Sequence, residues 1–171
     1  MKYLKPGHLV PDLILDTTKG VKWNLQESEP ENFTMLVVYR GIHCPVCKKY
    51  LEELNEKVED FRNKGVEVVC VSSNSKELAE KTVEEWEVEN LDIGFEMDIE
   101  EGRKWGLFVS EAIKDSEPEV FLEPALFLIK PDKTLYSASI QSMPFARPKF
   151  DELLKSIGFV LKEDYPARGG H

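Results

Sequence analysis

The sequence predicts an α/β domain, a mixed sheet with helices packed on it, and two observations predict it. Continuous apolar runs at residues 34–39 and 66–72 have the character of central strands buried on both faces. Around them, apolar residues recur at helical spacing, giving the order β-β-β-α-β-α-β-α-β-β-α. A chain of 171 residues, 42% hydrophobic and 32% charged, suffices for one such domain with a sizeable core.

Each element has its own signal. Residues 9–16 and 21–25 flank Thr17-Thr18-Lys19-Gly20 and read as a hairpin. After the strand at 34–39, Val46, Leu51, Leu54, Val58 and Phe61 fall near helical spacing from Pro45, and Gly65 stops that helix. The strand at 66–72 follows. Ser75 is a cap for a helix whose stripe is Leu78, Ala79, Val83 and Trp86. A short strand at 93–97 and a short helix at 99–105 come next, and Trp86, Trp105 and the phenylalanines at regular spacing read as core. Residues 108–122 show no clear period and read as an insertion or mobile loop. Strands at 125–129 and 134–140 surround Pro131-Asp132-Lys133, and a last helix at 148–157 buries Phe150, Leu153, Leu154 and Ile157. The domain is expected at 1–161, with a surface tail at 162–171.

Charge and composition exclude several classes. Lys plus Arg number 22 against 32 Asp plus Glu, a net of −10 that repels a phosphate backbone. No basic, aromatic-interleaved stretch offers an exception, so nucleic acid is not an expected partner. No apolar run reaches the roughly 20 residues of a membrane helix, and Pro6 and Gly7 interrupt any signal-peptide core. A soluble, cytoplasmic protein is the expectation. Three cysteines cannot make a fully paired disulfide framework, which turns attention to catalysis, metal binding or simple burial.

The chemistry concentrates in Tyr39-Arg40-Gly41-Ile42-His43-Cys44-Pro45-Val46-Cys47-Lys48. A buried strand ends, Gly41 turns the chain, and Pro45 takes the first helical position, where a missing N–H costs nothing. Cys44 is therefore the N-cap, beside the unpaired N–H groups and positive end of the helix. Such a site favours thiolate over thiol and lowers a cysteine pKa to roughly 3.5–7.5 from about 8.5. Arg40 and His43 are candidates for further positive charge. Cys47 lies one turn on, spaced to close a small disulfide with Cys44. A structural cysteine pair is the bland alternative. A zinc site would need two ligands beyond this pair, from among Cys70, His8 and His171, and haem attachment would need histidine after the second cysteine. Cys70, inside Val-Val-Cys-Val, reads as a buried hydrophobe rather than a resolving thiol. The acidic helix around Glu77 and Glu89 reads as a solvated face.

These residues, with Pro11-Asp-Leu-Ile-Leu-Asp16, Val69-Cys-Val-Ser72, Phe95-Glu-Met-Asp98 and Glu123-Pro-Ala-Leu-Phe-Leu-Ile-Lys-Pro-Asp132, are similar to the AhpC/TSA family. That family is the peroxiredoxin-like branch of the thioredoxin-fold superfamily, and the resemblance covers about residues 4–158. It implies a thioredoxin-like fold with an N-terminal β-hairpin, and thiol-dependent reduction of hydroperoxides or of disulfides. It implies no metal or organic cofactor, an external thiol reductant such as a thioredoxin or glutathione system, and homodimers in many relatives. The family's Pro-x-x-x-Thr/Ser-x-x-Cys motif, laid on this chain, makes Cys47 the sulfur that attacks peroxide and Cys44 its resolver. Arg40 stands at the proline and Cys44 at the threonine. The family's later arginine falls near Pro124, which instead looks like the cis-proline that faces C-x-x-C in thioredoxins, while Val38 takes the place of thioredoxin's buried acid. Two alternatives stay open: a protein disulfide reductase with Cys44 as nucleophile, and a non-catalytic binding module that kept the fold. Arg40 either supports a thiolate or pairs with a surface acid. His43 either shapes the thiol's surroundings or transfers protons. Arg147, in Pro144-Phe-Ala-Arg-Pro148, reads as a surface residue, with a stand-in for the family arginine as its other reading.

Overall fold

A computed structural model of the protein describes residues 4–171; residues 1–3 of the expected domain lie outside it. Strands β1 (Ile14–Thr17) and β2 (Lys22–Asn24) pair antiparallel as the expected hairpin. Then come β3 (Phe33–Val38), α1 (Pro45–Asn63), β4 (Val66–Val71), α2 (Lys76–Trp86), β5 (Asp92–Phe95) and α3 (Ile99–Lys104). A ribbon of β6 (Val109–Glu111) and β7 (Val120–Leu122) leads into β8 (Ala125–Ile129), β9 (Leu135–Ile140) and α4 (Phe150–Glu163).

Seven strands form one mixed sheet in the order β2-β1-β5-β4-β3-β8-β9. β3, β4 and β5 run parallel, and β8 runs antiparallel to β3. Every residue of β3 and β8 is buried, because both faces of the sheet are covered. On one face Met35, Val37 and Cys70 pack with Leu51, Leu54 and Phe61 of α1 and with Phe150 and Ile157 of α4. On the other, Leu36, Val38, Val69 and Phe127 pack with Trp105 and Leu122. This arrangement is the thioredoxin-like α/β fold, with α1 emerging from the end of the central strand β3.

Some details depart from the sequence reading. Residues 108–122 are no featureless loop: β6 and β7 form an antiparallel ribbon with Phe121 and Leu122 buried. Strands of three residues are too short to show alternation, which is why the pattern was invisible. Leu78 is 36% exposed and Thr82 takes the buried place, its hydroxyl satisfied by Leu78 O at 2.8 Å. Phe108, Phe145 and Phe159 are exposed rather than core. Helix α4 runs through Gly158 to Glu163, and Asp164 ends it in the left-handed conformation at φ 48°. The tail after it is pinned where Tyr136 Oη donates to Tyr165 O at 2.9 Å.

Candidate active site

Two loops and one helix start build the site. Tyr39 N–H still bonds Val71 O at 3.0 Å, so the chain leaves the sheet only at Arg40. Gly41 then adopts φ 139°, and a Cβ there would lie 2.7 Å from the Asn74 side chain. The turn thus needs glycine on two counts. Asn74, buried at the end of β4, accepts Ile42 N–H on Oδ1 at 2.8 Å and locks the turn. Sequence reasoning missed Asn74; a polar residue in Ser72-Ser-Asn-Ser75 carries no sign that it holds a neighbouring loop. Asn74→Ala is therefore expected to slow the thiol chemistry about tenfold by loosening residues 40–43, as read by alkylation rate against an unchanged far-UV spectrum.

Cys44 is the N-cap of α1, and its Sγ accepts Cys47 N–H at 3.2 Å. Its pKa is lowered from the ordinary 9.0 to about 6. The Cys47 thiol, a donor to the Cys44 thiolate, contributes most; burial opposes it, and the Cys47 N–H and the charges of Arg147 and Arg40 add to it. Cys47 is shifted the other way, pushed up by burial and by the neighbouring Cys44 sulfur. Cys44 is 2% exposed and Cys47 0%, so both sulfurs lie beneath the surface. Cys70 is wholly buried, and burial pushes its thiol up.

The two arginines come from opposite ends of the chain. Arg147 is not a surface residue: its Nη2 donates to Cys47 Sγ at 2.8 Å and its guanidinium lies 4.9 Å from the centre of the Tyr50 ring. Tyr50 Oη bonds Pro148 O at 2.6 Å, which holds the loop that carries Arg147. Arg40 pairs at 3.0 Å with Glu123, an acid that is buried rather than on the surface, and lies 4.8 Å from the Phe121 ring. Burial weighs against the Arg40 charge, but Glu123 and Cys44 outweigh it and raise its pKa above the ordinary value. His43 packs edge-on to Phe121 at 4.8 Å, and burial and Arg40 lower its pKa. Both effects weaken it as a source of the positive charge expected of it.

Pro124 also differs from expectation. No cis peptide bond occurs among the described residues, so the bond before Pro124 is trans, as suits a chain passing directly from β7 to β8. Its carbonyl accepts Gln141 N–H at 2.9 Å. Among the described residues there is no cluster of metal ligands, and no helix is long and apolar enough to cross a membrane.

A thioredoxin-like sheet with a cysteine pair at the start of its first helix defines the thioredoxin-fold class. Within it, the chain belongs to the AhpC/TSA family, which matches residues 6–138. Its fold is similar to a cysteine-to-serine mutant of peroxiredoxin 6 from Arenicola marina, at TM-score 0.80 and 20% identity over 95% of this chain and 76% of that one. It is also similar to AhpC of Enterococcus faecalis, at TM-score 0.76 and 16% identity over 97% and 99%. In sequence it is 24% identical over 98 residues to the thiol-disulfide oxidoreductase ResA of Bacillus cereus, covering 57% of this chain and 53% of that one. The chain spans about half the length of the ResA proteins it matches.

Proposed function

We propose that the protein is a thiol-dependent oxidoreductase of the peroxiredoxin-like class that reduces hydroperoxides through a Cys44–Cys47 dithiol/disulfide cycle. The observation that carries this reading is the Cys44 sulfur at the α1 N-cap, beside two arginines and backed by a second thiol. The Cys44 thiolate attacks the terminal peroxide oxygen: the O–O bond breaks, an S–O bond forms, and the departing alkoxide or hydroxide takes a proton from water. Cys47 then attacks the sulfenic acid, forming the disulfide and releasing water. An external dithiol restores both thiols.

Attack by Cys44 reverses the order that the family motif implies. It rests on the place of Cys44 at the positive end of α1, where its Sγ accepts Cys47 N–H at 3.2 Å, while Cys47 lies deeper in the core. One observation favours the motif's order instead, the Arg147 hydrogen bond to Cys47 Sγ at 2.8 Å. Trapping separates the two. Cys47→Ser treated with hydrogen peroxide and a sulfenic-acid reagent is expected to carry the label on Cys44. Label on Cys47 in Cys44→Ser, with none on Cys44 in Cys47→Ser, establishes the motif's order.

Burial of both sulfurs supports a small oxidant over a protein disulfide, since a disulfide's sulfur has to reach Cys44 in line. A peroxide rate no better than that of free cysteine, with brisk insulin reduction, would reassign the substrate to disulfides. The pH dependence follows from the thiolate. Raising the pH deprotonates Cys44, so the rate with hydrogen peroxide rises through about pH 6 and is flat above it. Stopped-flow measurement across that range checks it. Three free cysteines support a reducing compartment such as the cytoplasm, and the unpaired edges of β2 and β9 support association with a second copy.

A further inference from the structure

Glu123 is a buried carboxylate beside this site, and neither the family motif nor the cysteine spacing assigns it a role. It sits between β7 and β8 with its side chain 3% exposed, where an unpaired charge would be costly. Its Oε1 accepts from Arg40 Nη2 at 3.0 Å and from Ser110 Oγ at 2.7 Å. Its Oε2 and Arg40 Nε are buried without partners among the described residues. Its backbone N–H bonds Phe108 O at 2.9 Å, so the β6–β7 ribbon holds both its main chain and its side chain. The turn in which Cys44 N–H bonds Gly41 O at 3.2 Å carries Arg40 back beside Cys44, so its charge bears on Cys44 as well as on Glu123. A guanidinium on a flexible stem, leaving the sheet at residue 40, has no other ion-pair partner among the described residues to keep it inward.

We propose that Glu123 is a positioning residue that holds Arg40 toward Cys44, so that the β6–β7 ribbon sets the cation facing the attacking sulfur. The proposal rests on the reading of Cys44 as the thiolate. It predicts opposite effects for two substitutions. Glu123→Gln keeps an oxygen that accepts from Arg40 and Ser110 but removes the negative charge that competes with Cys44 for the guanidinium. Cys44 then ionises more readily, and its titration moves down by roughly half a pH unit. Glu123→Ala removes the anchor as well. Arg40 turns to solvent, Cys44 loses the positive charge that favours its thiolate, and its titration moves up by roughly one pH unit.

The test is the thiolate ultraviolet absorbance of the reduced protein against pH, with alkylation localised to Cys44 by mass spectrometry. Thermal unfolding of each variant accompanies it. Shifts of opposite sign support the proposal, because lost stability alone has no reason to move the two variants in opposite directions. In an Arg40→Met background, Glu123→Ala is expected to raise the titration no further; a rise there would show action independent of Arg40 and overturn it. Unmoved titrations in both single variants, with the wild-type Cys44 still ionising near neutrality, would also overturn it while leaving the proposed function intact. A wild-type Cys44 that stays protonated up to the range of free cysteine would instead overturn the thiolate reading and the role of Glu123 with it.

Discussion

Cys44→Ser is expected to slow the first reaction with hydroperoxide by at least about 1000-fold, more than any other single substitution in the chain. Nothing at position 44 then ionises near neutral pH, so the N-cap geometry, the Cys47 N–H and both arginines have no thiolate there to stabilise. The fold survives, because a serine hydroxyl is itself a good N-cap and accepts the same backbone N–H. Equal thermal stability with lost turnover is the expected pair of results. Cys47→Ser differs in kind: its first encounter with peroxide proceeds, but the sulfenic acid on Cys44 has no neighbour to resolve it, and the cycle stops after one event. Cys70→Ala is the control. Cys70 lies within β4 with its thiol pushed up by burial, so its loss leaves turnover within about twofold of the parent. A first reaction of Cys44→Ser with hydrogen peroxide at a tenth of the parent rate or better would show that Cys47 does the attacking. Coupled assays with a dithiol reductant, run beside thermal melts, separate these outcomes.

The parts of this site that were legible in the sequence are the local ones. Cys44 as N-cap, Pro45 at the first helical position and Gly41 at the turn are fixed by rules spanning four residues, and each stands where those rules put it. The central strands were legible for a similar reason: β3 and β4 are buried on both faces, and unbroken apolar runs are hard to mistake. Arg147 was not, since its meeting with Cys47 spans 100 residues and depends on how the β9–α4 loop folds back over Tyr50. Glu123 was not legible either, since its partners Arg40 and Ser110 lie 83 and 13 residues away in the chain. Gly158 looks like an end to α4 but lies inside it. Glycine costs a helix interior about 1 kcal/mol relative to alanine, which the buried face at Phe150 and Ile157 outweighs. In each case packing at a distance overruled a local preference.

The ribbon that shows no period in the sequence makes the second large effect. Phe121 is 1% exposed, and both Arg40 and His43 rest on its ring at 4.8 Å. Phe121→Ala is expected to cost about 3–5 kcal/mol through lost burial and the cavity left behind. For a chain of this size that lowers the melting temperature by about 10 °C. Stability alone would not distinguish Phe121 from any other core aromatic, so the comparison that matters is Phe127→Ala. Phe127 is 0% exposed and packs on Trp105 at 5.2 Å, away from the two thiols. The two variants should melt at similar temperatures, yet only Phe121→Ala should raise the pH at which Cys44 ionises. The reason is geometric: removing the ring takes away the surface that holds Arg40 inward, and the vacated space admits water that screens the remaining charge. His43, freed from the ring edge, becomes better solvated, which removes the burial that keeps it neutral. A protonated His43 would push the Cys44 titration down, opposite in direction to the loss of Arg40. Adding His43→Ala to Phe121→Ala is therefore expected to raise the titration further. A titration that stays at the parent value in both variants would mean that the ribbon supports the fold and has no hold on the thiol.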